Sequence, residues 1–402
     1  MRRSAHLALY LTACSVSVAQ SRWTEPQFLA AVEQRSPALA AIRASIAVAR
    51  AEAAGRGLYP NPSVSYSREG AGFTEFYQAE QPLAISGRLR LLRQAGAAQI
   101  GVADAEAALA QWQIRTDARN AFGNALLARA RVEIVEASTS DIRDVVRILR
   151  AREREGEGSR YDRLRAEREL AERESETGVA RAALAIADAE LRSFLPPEVA
   201  QVAIDGRLAT ASPVLTSEEA LNMAREARPE LRVARADLER FRLERSAAAR
   251  LRYPDPIISA GVKRADIGSR NAAGAVVSIS VPLPVFNTGA TEVQRFTAEA
   301  QRVQARLAAI ERRISSEVEG SYRAASLQQQ ALTAYEATVP PGADELVKIA
   351  RTAYDEGEIG ILELLDAFRS AHSSRQRIVQ MQASAREAWI RLEAAVGSEI
   401  VK

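Results

Sequence analysis

Val281-Pro282-Leu283-Pro284-Val285-Phe286-Asn287-Thr288-Gly289 is the stretch on which the fold turns. Just before it, Val277, Ile279 and Val281 alternate with Ser278 and Ser280, the period-two pattern of a strand with two unlike faces. Just after it, Val293, Phe296, Ala300, Val303, Leu307, Ile310 and Ile314 recur in steps of three and four, which is a coiled-coil seam. The prolines stop the strand, and Gly289 opens a helical run that meets no proline until Pro340. The same succession occurs earlier in a more degenerate form. Gln81-Pro82-Leu83-Ala84-Ile85-Ser86-Gly87 lacks the second proline but leads into another seam, Leu91, Ala95, Ala98, Val102, Ala105, Leu109 and Trp112.

Outward from these two stretches the correspondence continues. Ser36-Pro37 matches Arg228-Pro229, and Leu58-Tyr59-Pro60-Asn61-Pro62 matches Arg252-Tyr253-Pro254-Asp255-Pro256. Glu155-Gly156-Glu157 matches Glu356-Gly357-Glu358. A duplicated unit of this size builds one substructure twice, with the two copies side by side. The expected organisation is repeat one at 20–195, a linker at 196–215 and repeat two at 216–402. Repeat one holds strands at about 63–69 and 73–81 and a long helical hairpin at 89–194. Repeat two holds strands at about 257–263 and 275–281, with Arg264 to Ala273 as the loop between them, and a hairpin at 290–397. The expected class is mostly α with a small β part, and Pro60, Pro62, Pro82, Gly87, Pro254, Pro256, Pro282, Pro284 and Gly289 mark where strands meet long helices.

Composition agrees with long helices. Aromatic residues make up only 5% and charged residues 26%, the palette of small-residue seams rather than of a large globular core. The start reads as an export signal at 1–19: Arg2 and Arg3, a mostly apolar stretch from His6 to Ala13, then small residues to Ala19. Two processing readings fit. Ser17-Val18-Ala19 is a small-x-small cleavage site before Gln20, and Leu11-Thr12-Ala13-Cys14 is a lipoprotein box in which Cys14 carries lipid. Cys14 is the single cysteine, so no disulfide forms within one chain. The 54 basic and 51 acidic residues nearly balance, and Arg2 and Arg3 fall in the signal. Interspersed charge of this kind leaves no footprint for nucleic acid. Beyond the signal no run of about 18 apolar residues occurs, so any membrane crossing must be made by a closed barrel.

Chemistry-bearing constellations are missing. Beyond the signal His372 is the single histidine, and Met223 and Met381 are the thioethers. No Cys/His set has metal-ligand spacing, and neither a phosphate loop nor a nucleophile elbow occurs. No catalytic residue, metal ligand or cofactor is expected. The Arg/Glu run from Arg150 to Glu176 reads as a solvated coiled-coil face with i,i+4 pairs.

Four strands per chain cannot close a barrel, and their free edges call for a partner; three copies would suffice. With these features together the chain resembles the TolC family of outer-membrane efflux channels, and within it the branch that serves heavy-metal and related cation exporters. The resemblance rests on Val281 to Gly289, on Leu58 to Pro62 and on Tyr354-Asp355-Glu356-Gly357 followed by Leu362-Glu363-Leu364-Leu365-Asp366-Ala367. It implies a homotrimer with a twelve-stranded barrel in outer-membrane lipid, set on a periplasmic α-barrel. It also implies passive export of substrate, metal cations included, that an inner-membrane pump of the RND type passes on through a periplasmic adaptor. By the same resemblance Asp366 and Glu363 fall at an acidic pore entrance, with Asp162 as their first-half counterpart. Gly156, Gly158, Tyr354, Gly357 and Gly360 fall at the tip that meets the adaptor. An acid in a helix's first turn also suits the helix dipole, and tip glycines suit tight turns. The alternatives are a periplasmic adaptor, which carries one hairpin inside β-rich domains, and a structural coiled-coil protein, which the proline-bounded strands disfavour.

Overall fold

The computed structural model describes residues 22–70, 73–199, 202–208, 215–268 and 270–400. The export signal and Cys14 lie outside the described residues. Repeat one comprises α1 (Glu25–Arg35), α2 (Pro37–Arg56), β1 (Ser63–Glu69), β2 (Thr74–Pro82), α3 (Arg88–Arg154) and α4 (Arg160–Ser193). Repeat two comprises α5 (Ser217–Ala227), α6 (Pro229–Ala248), a 3₁₀ turn (Ala249–Arg252), β3 (Ile257–Ile267), β4 (Arg270–Ser280), α7 (Ala290–Thr338), α8 (Pro340–Asp355) and α9 (Ile361–Val396).

Local chemistry sets these bounds. Thr24 and Gln27 form a capping box at α1, and Thr216 and Glu219 form its counterpart at α5. Each box satisfies helix-end donors reciprocally. Pro37 and Pro229 begin α2 and α6, where a missing N–H costs nothing. The 67 residues of α3 run unbroken, which at 1.5 Å each is about 100 Å. The corresponding arm of repeat two is split, because α7 stops before Pro340 and α8 begins on it.

The four strands form one antiparallel meander in the order β1-β2-β3-β4. Residues directly opposite one another share a face. Rows on one face read Val64–Ala79–Ala260–Val277 and Tyr66–Tyr77–Val262–Ala275, with Ile258–Ile279 closing the band. That face is bare: Val64 is 85% exposed and Val277 73%. The other face carries Ser63, Ser65, Ser67, Ser259 and Ser278. Strands β3 and β4 run further than the alternation suggested. Arg264 to Ala273, expected as a loop, continues the ladder through Arg264↔Ala273 and Ala265↔Ala272 to Ile267↔Arg270. Polar and small residues flank this extension on both faces, so no apolar alternation advertised it. The 11 residues of β3, at about 3.3 Å each, make it about 36 Å long.

Packing follows the duplication. Phe28, Phe122, Leu126, Leu191 and Ile204 centre one buried cluster, among α1, α3, the end of α4 and the segment that follows it. Ala224, Leu231, Ile314, Val318, Leu392 and Val396 centre its counterpart, among α5, α6, α7 and α9. The segment after α4, expected as a linker, is pinned there by Trp23, whose N–H donates to the Ala203 carbonyl at 2.7 Å and whose carbonyl accepts from Asp205 N–H at 2.9 Å. A third cluster, with Ile142, Val145, Leu149, Ala166, Leu364, Leu365 and Phe368, fuses the two hairpins near their tips.

Below the sheet the repeats cross-link. The Ser86 N–H donates to Asp255 Oδ1 at 2.8 Å, and the Leu83 N–H to the Pro256 carbonyl at 2.7 Å. Gln81 donates its side-chain amide to the Pro60 carbonyl at 3.0 Å. Gly87 and Gly289 cap α3 and α7 with φ of 75° and 78°. A side chain at Gly289 would also collide with the Ala248 carbonyl. The junction prolines and glycines thus gather at one level of the molecule.

Candidate functional site

The hairpin tips are built alike. In each, the ascending helix ends on a glycine with positive φ, Gly156 at 81° and Gly357 at 78°. Behind each glycine the next N–H reaches back five residues, Glu157 to the Arg152 carbonyl at 2.9 Å and Glu358 to the Ala353 carbonyl at 2.8 Å. This closure satisfies the last carbonyls of a helix and needs a left-handed residue at the glycine. Gly158 packs directly against the backbone of Arg152 and Glu153. The return helices then start from Ser159 and Gly360.

Counting from the tip glycines places Asp162 level with Glu363, each in the first turn of its return helix. Asp366 lies one turn further on, level with Arg165 of repeat one. Asp162 therefore corresponds to Glu363 alone, and the Asp366 position has a basic counterpart. Among the described residues, two acids beside the tip of repeat one are engaged: Arg163 holds Glu153 and Glu167, and Arg150 reaches Glu167 at 2.8 Å; the turn acids Glu155, Glu157, Asp355, Glu356 and Glu358 make no ion pair. Asp162, Glu363 and Asp366 make no hydrogen bond or ion pair among the described residues. Glu363 and Asp366 are exposed, and Asp162 is half-buried.

Tyr354 joins the two tips. The Arg152 guanidinium of repeat one lies 5.4 Å from the centre of its ring. Burial pushes the Tyr354 hydroxyl above its ordinary pKa; Arg152 opposes this, and the charge of Asp162 adds to it. The charge of Asp162 is thus felt by Tyr354 of the other hairpin, whereas that of Asp366 is felt by Arg369 of its own helix.

Above the tips the structure holds a seam that the sequence reading missed. Glu169 of α4 is only 3% exposed. It accepts from Arg369 Nε of α9 at 3.0 Å and from Arg173 Nη2 at 3.2 Å. One heptad on, Glu176 accepts from Gln376 Nε2 of α9 at 2.6 Å, and His372 Nε2 lies 3.3 Å away. The Arg150–Glu176 run is therefore partly an inter-hairpin face rather than wholly solvated. Its readable signal was the seven-residue spacing of Asp162, Glu169 and Glu176, matched by Arg369 and Gln376. Hydrogen bonds from Arg369 hold the Glu169 carboxyl below the usual carboxylate range, against its burial. Burial would raise Glu176, but hydrogen bonds from Gln376 and His372 win and lower it.

His372 is buried, with Nδ1 unpartnered. Burial lowers its pKa; Glu176 opposes the shift, while Arg173 and Arg375 reinforce it. A histidine with a depressed folded-state pKa resists protonation while folded, so the unfolded chain binds more protons as pH falls. Its contribution is fully present above about pH 6.5 and is lost as pH drops below that value. Thermal midpoints measured at about pH 7.5 and about pH 5.5 should therefore converge in His372→Gln. An unchanged difference would show that His372 does not titrate on unfolding.

Known proteins now bear on this geometry. The family described as Outer membrane efflux protein matches residues 220–398. The cobalt-zinc-cadmium resistance protein CzcC of Cupriavidus metallidurans is 25% identical over 307 residues, covering 76% of this chain and 72% of CzcC. The Campylobacter jejuni CmeC outer membrane channel superposes with a TM-score of 0.75 at 12% identity, over 94% of this chain and 87% of its own. The outer-membrane channel OprN gives 0.74 at 18%, over 93% and 90%. These structural relatives are channels, and the likeness spans both hairpins and the four-stranded sheet. Residues 220–398 thus resemble the outer membrane efflux protein family, and over nearly its whole length the chain has the fold of these outer-membrane channels.

Proposed function

We propose that the chain is the outer-membrane conduit of a tripartite exporter. Three copies close a twelve-stranded barrel through the free edges of β1 and β4, and their hairpins form the periplasmic tube beneath it. Substrate delivered by an inner-membrane pump of the RND type crosses a periplasmic adaptor and leaves passively. The observation that carries this reading is the one-sided sheet: one face carries a bare apolar band, as outer-membrane barrels do toward lipid, and the other is lined with serine. Among the described residues no helix is long and apolar enough to cross a membrane, so the sheet is the element that meets lipid.

In the assembled tube Asp162, Glu363 and Asp366 ring the periplasmic entrance. Their freedom from local ion pairs supports that role, because an unpaired carboxylate keeps its field for the pore. Gly156, Gly158, Tyr354, Gly357 and Gly360 shape the tip surface that receives the adaptor. Metal cations are the cargo that the likeness to a cobalt-zinc-cadmium resistance protein favours. Mass photometry tests the assembly: detergent-solubilised protein should appear as a particle of three chains, and a stable soluble monomer without detergent would overturn the reading.

A further inference from the structure

The register of the sheet isolates one carboxylate on its serine-lined face. The row through Glu80 reads Ser63–Glu80–Ser259–Ser278. The next rows on that face are Ser65–Gln78–Gly261–Val276, then Ser67–Phe76–Lys263–Gly274. Glu80 is half-buried, and among the described residues its side chain makes no hydrogen bond or ion pair. Its neighbours cannot neutralise it: the Ser259 and Ser278 hydroxyls bond each other at 2.5 Å. Lys263 lies two rows away, about 13 Å along the strand, with its ammonium 5.2 Å from the centre of the Phe76 ring. The remaining charges of this face, Glu69 and Arg270, sit still further toward the β1–β2 and β3–β4 turns. The barrel wall is thus acidic at the end nearest the helices.

We infer that Glu80 is a specificity-determining residue of the conduit, three copies forming an acidic ring at the periplasmic end of the barrel lumen that favours cations over anions. This rests on the trimeric barrel proposed above. A ring of charge on a low-dielectric wall raises the local concentration of counter-ions. Because the three carboxylates stand apart across a wide lumen, their field fills it when the Debye length is about 30 Å, near 0.01 M salt, and not when it is about 3 Å, near 1 M. The ring is separate from the tip acids, which lie at the far end of α3.

The experiment measures reversal potential in planar bilayers under a KCl gradient, using trimers in which Asp162→Asn, Glu363→Gln and Asp366→Asn have neutralised the tips. A cation preference should persist near 0.01 M salt, and Glu80→Gln should lower the permeability ratio about twofold or more. Glu80→Lys should move the potential toward anions, and the differences should vanish near 1 M. Conducting trimers whose potential is the same with Glu80→Gln would overturn the role of Glu80 while leaving the channel intact. Wild-type protein that forms no three-chain particle and no pore would overturn both readings.

Discussion

Val277→Arg should nearly eliminate assembled trimer, whereas Val276→Arg, one residue earlier, should leave most of it. The two valines carry the same side chain on the same strand and differ in face. Val277 lies in the row Val64–Ala79–Ala260–Val277, near the middle of the apolar band, and Val276 lies in the row Ser65–Gln78–Gly261–Val276. An arginine on the lipid side of a barrel costs about 2–4 kcal/mol near the bilayer midplane. One copy therefore lowers the folding equilibrium by about thirty-fold or more, and a trimer carries three. An arginine at position 276 faces water and keeps its hydration. Heat-resistant trimer on unboiled gels, compared at matched expression, is the readout. If Val276→Arg falls as far as Val277→Arg, the faces are wrongly assigned or the sheet does not meet lipid.

Legibility of the fold tracks how strongly each element is bounded. The junctions were readable because their prolines and glycines do unusual backbone work; Gly87 and Gly289 both take left-handed conformations at the same structural level. The long helices were readable because their seams repeat without interruption, and Ala95, Val102, Val303, Ile310 and Ile314 are buried as the spacing requires. The outer halves of β3 and β4 were not readable. Backbone pairing alone extends them, and neither lipid nor core selects an apolar alternation there. The Glu169–Arg369 and Glu176–Gln376 contacts were obscured for another reason: an Arg/Glu-rich helix face looks the same whether it meets water or a partner helix. Only superposing the two repeats on their tip glycines aligns those charges. That same superposition pairs Asp162 with Glu363 and leaves Asp366 opposite a basic position.

Neutralising the tip acids should abolish most block by a trivalent cation applied from the periplasmic side. In the proposed trimer Asp162 and Asp366 would bring six carboxylates toward one axis, and like charges held close must be offset by bound counter-ions or by protonation. Counter-ions of high charge answer that need best, because their attraction grows with valence while the entropy lost on binding does not. Within one protomer these carboxylates are free of ion pairs among the described residues, so a bound cation has no internal arginine to displace. In planar bilayers the wild-type pore should be blocked strongly, and the Asp162→Asn, Asp366→Asn pair should need at least about tenfold more blocker, equivalent to about 1.4 kcal/mol. Unchanged block in the double variant would return both residues to ordinary helix-start chemistry, in which an acid near an N-terminus needs no further role.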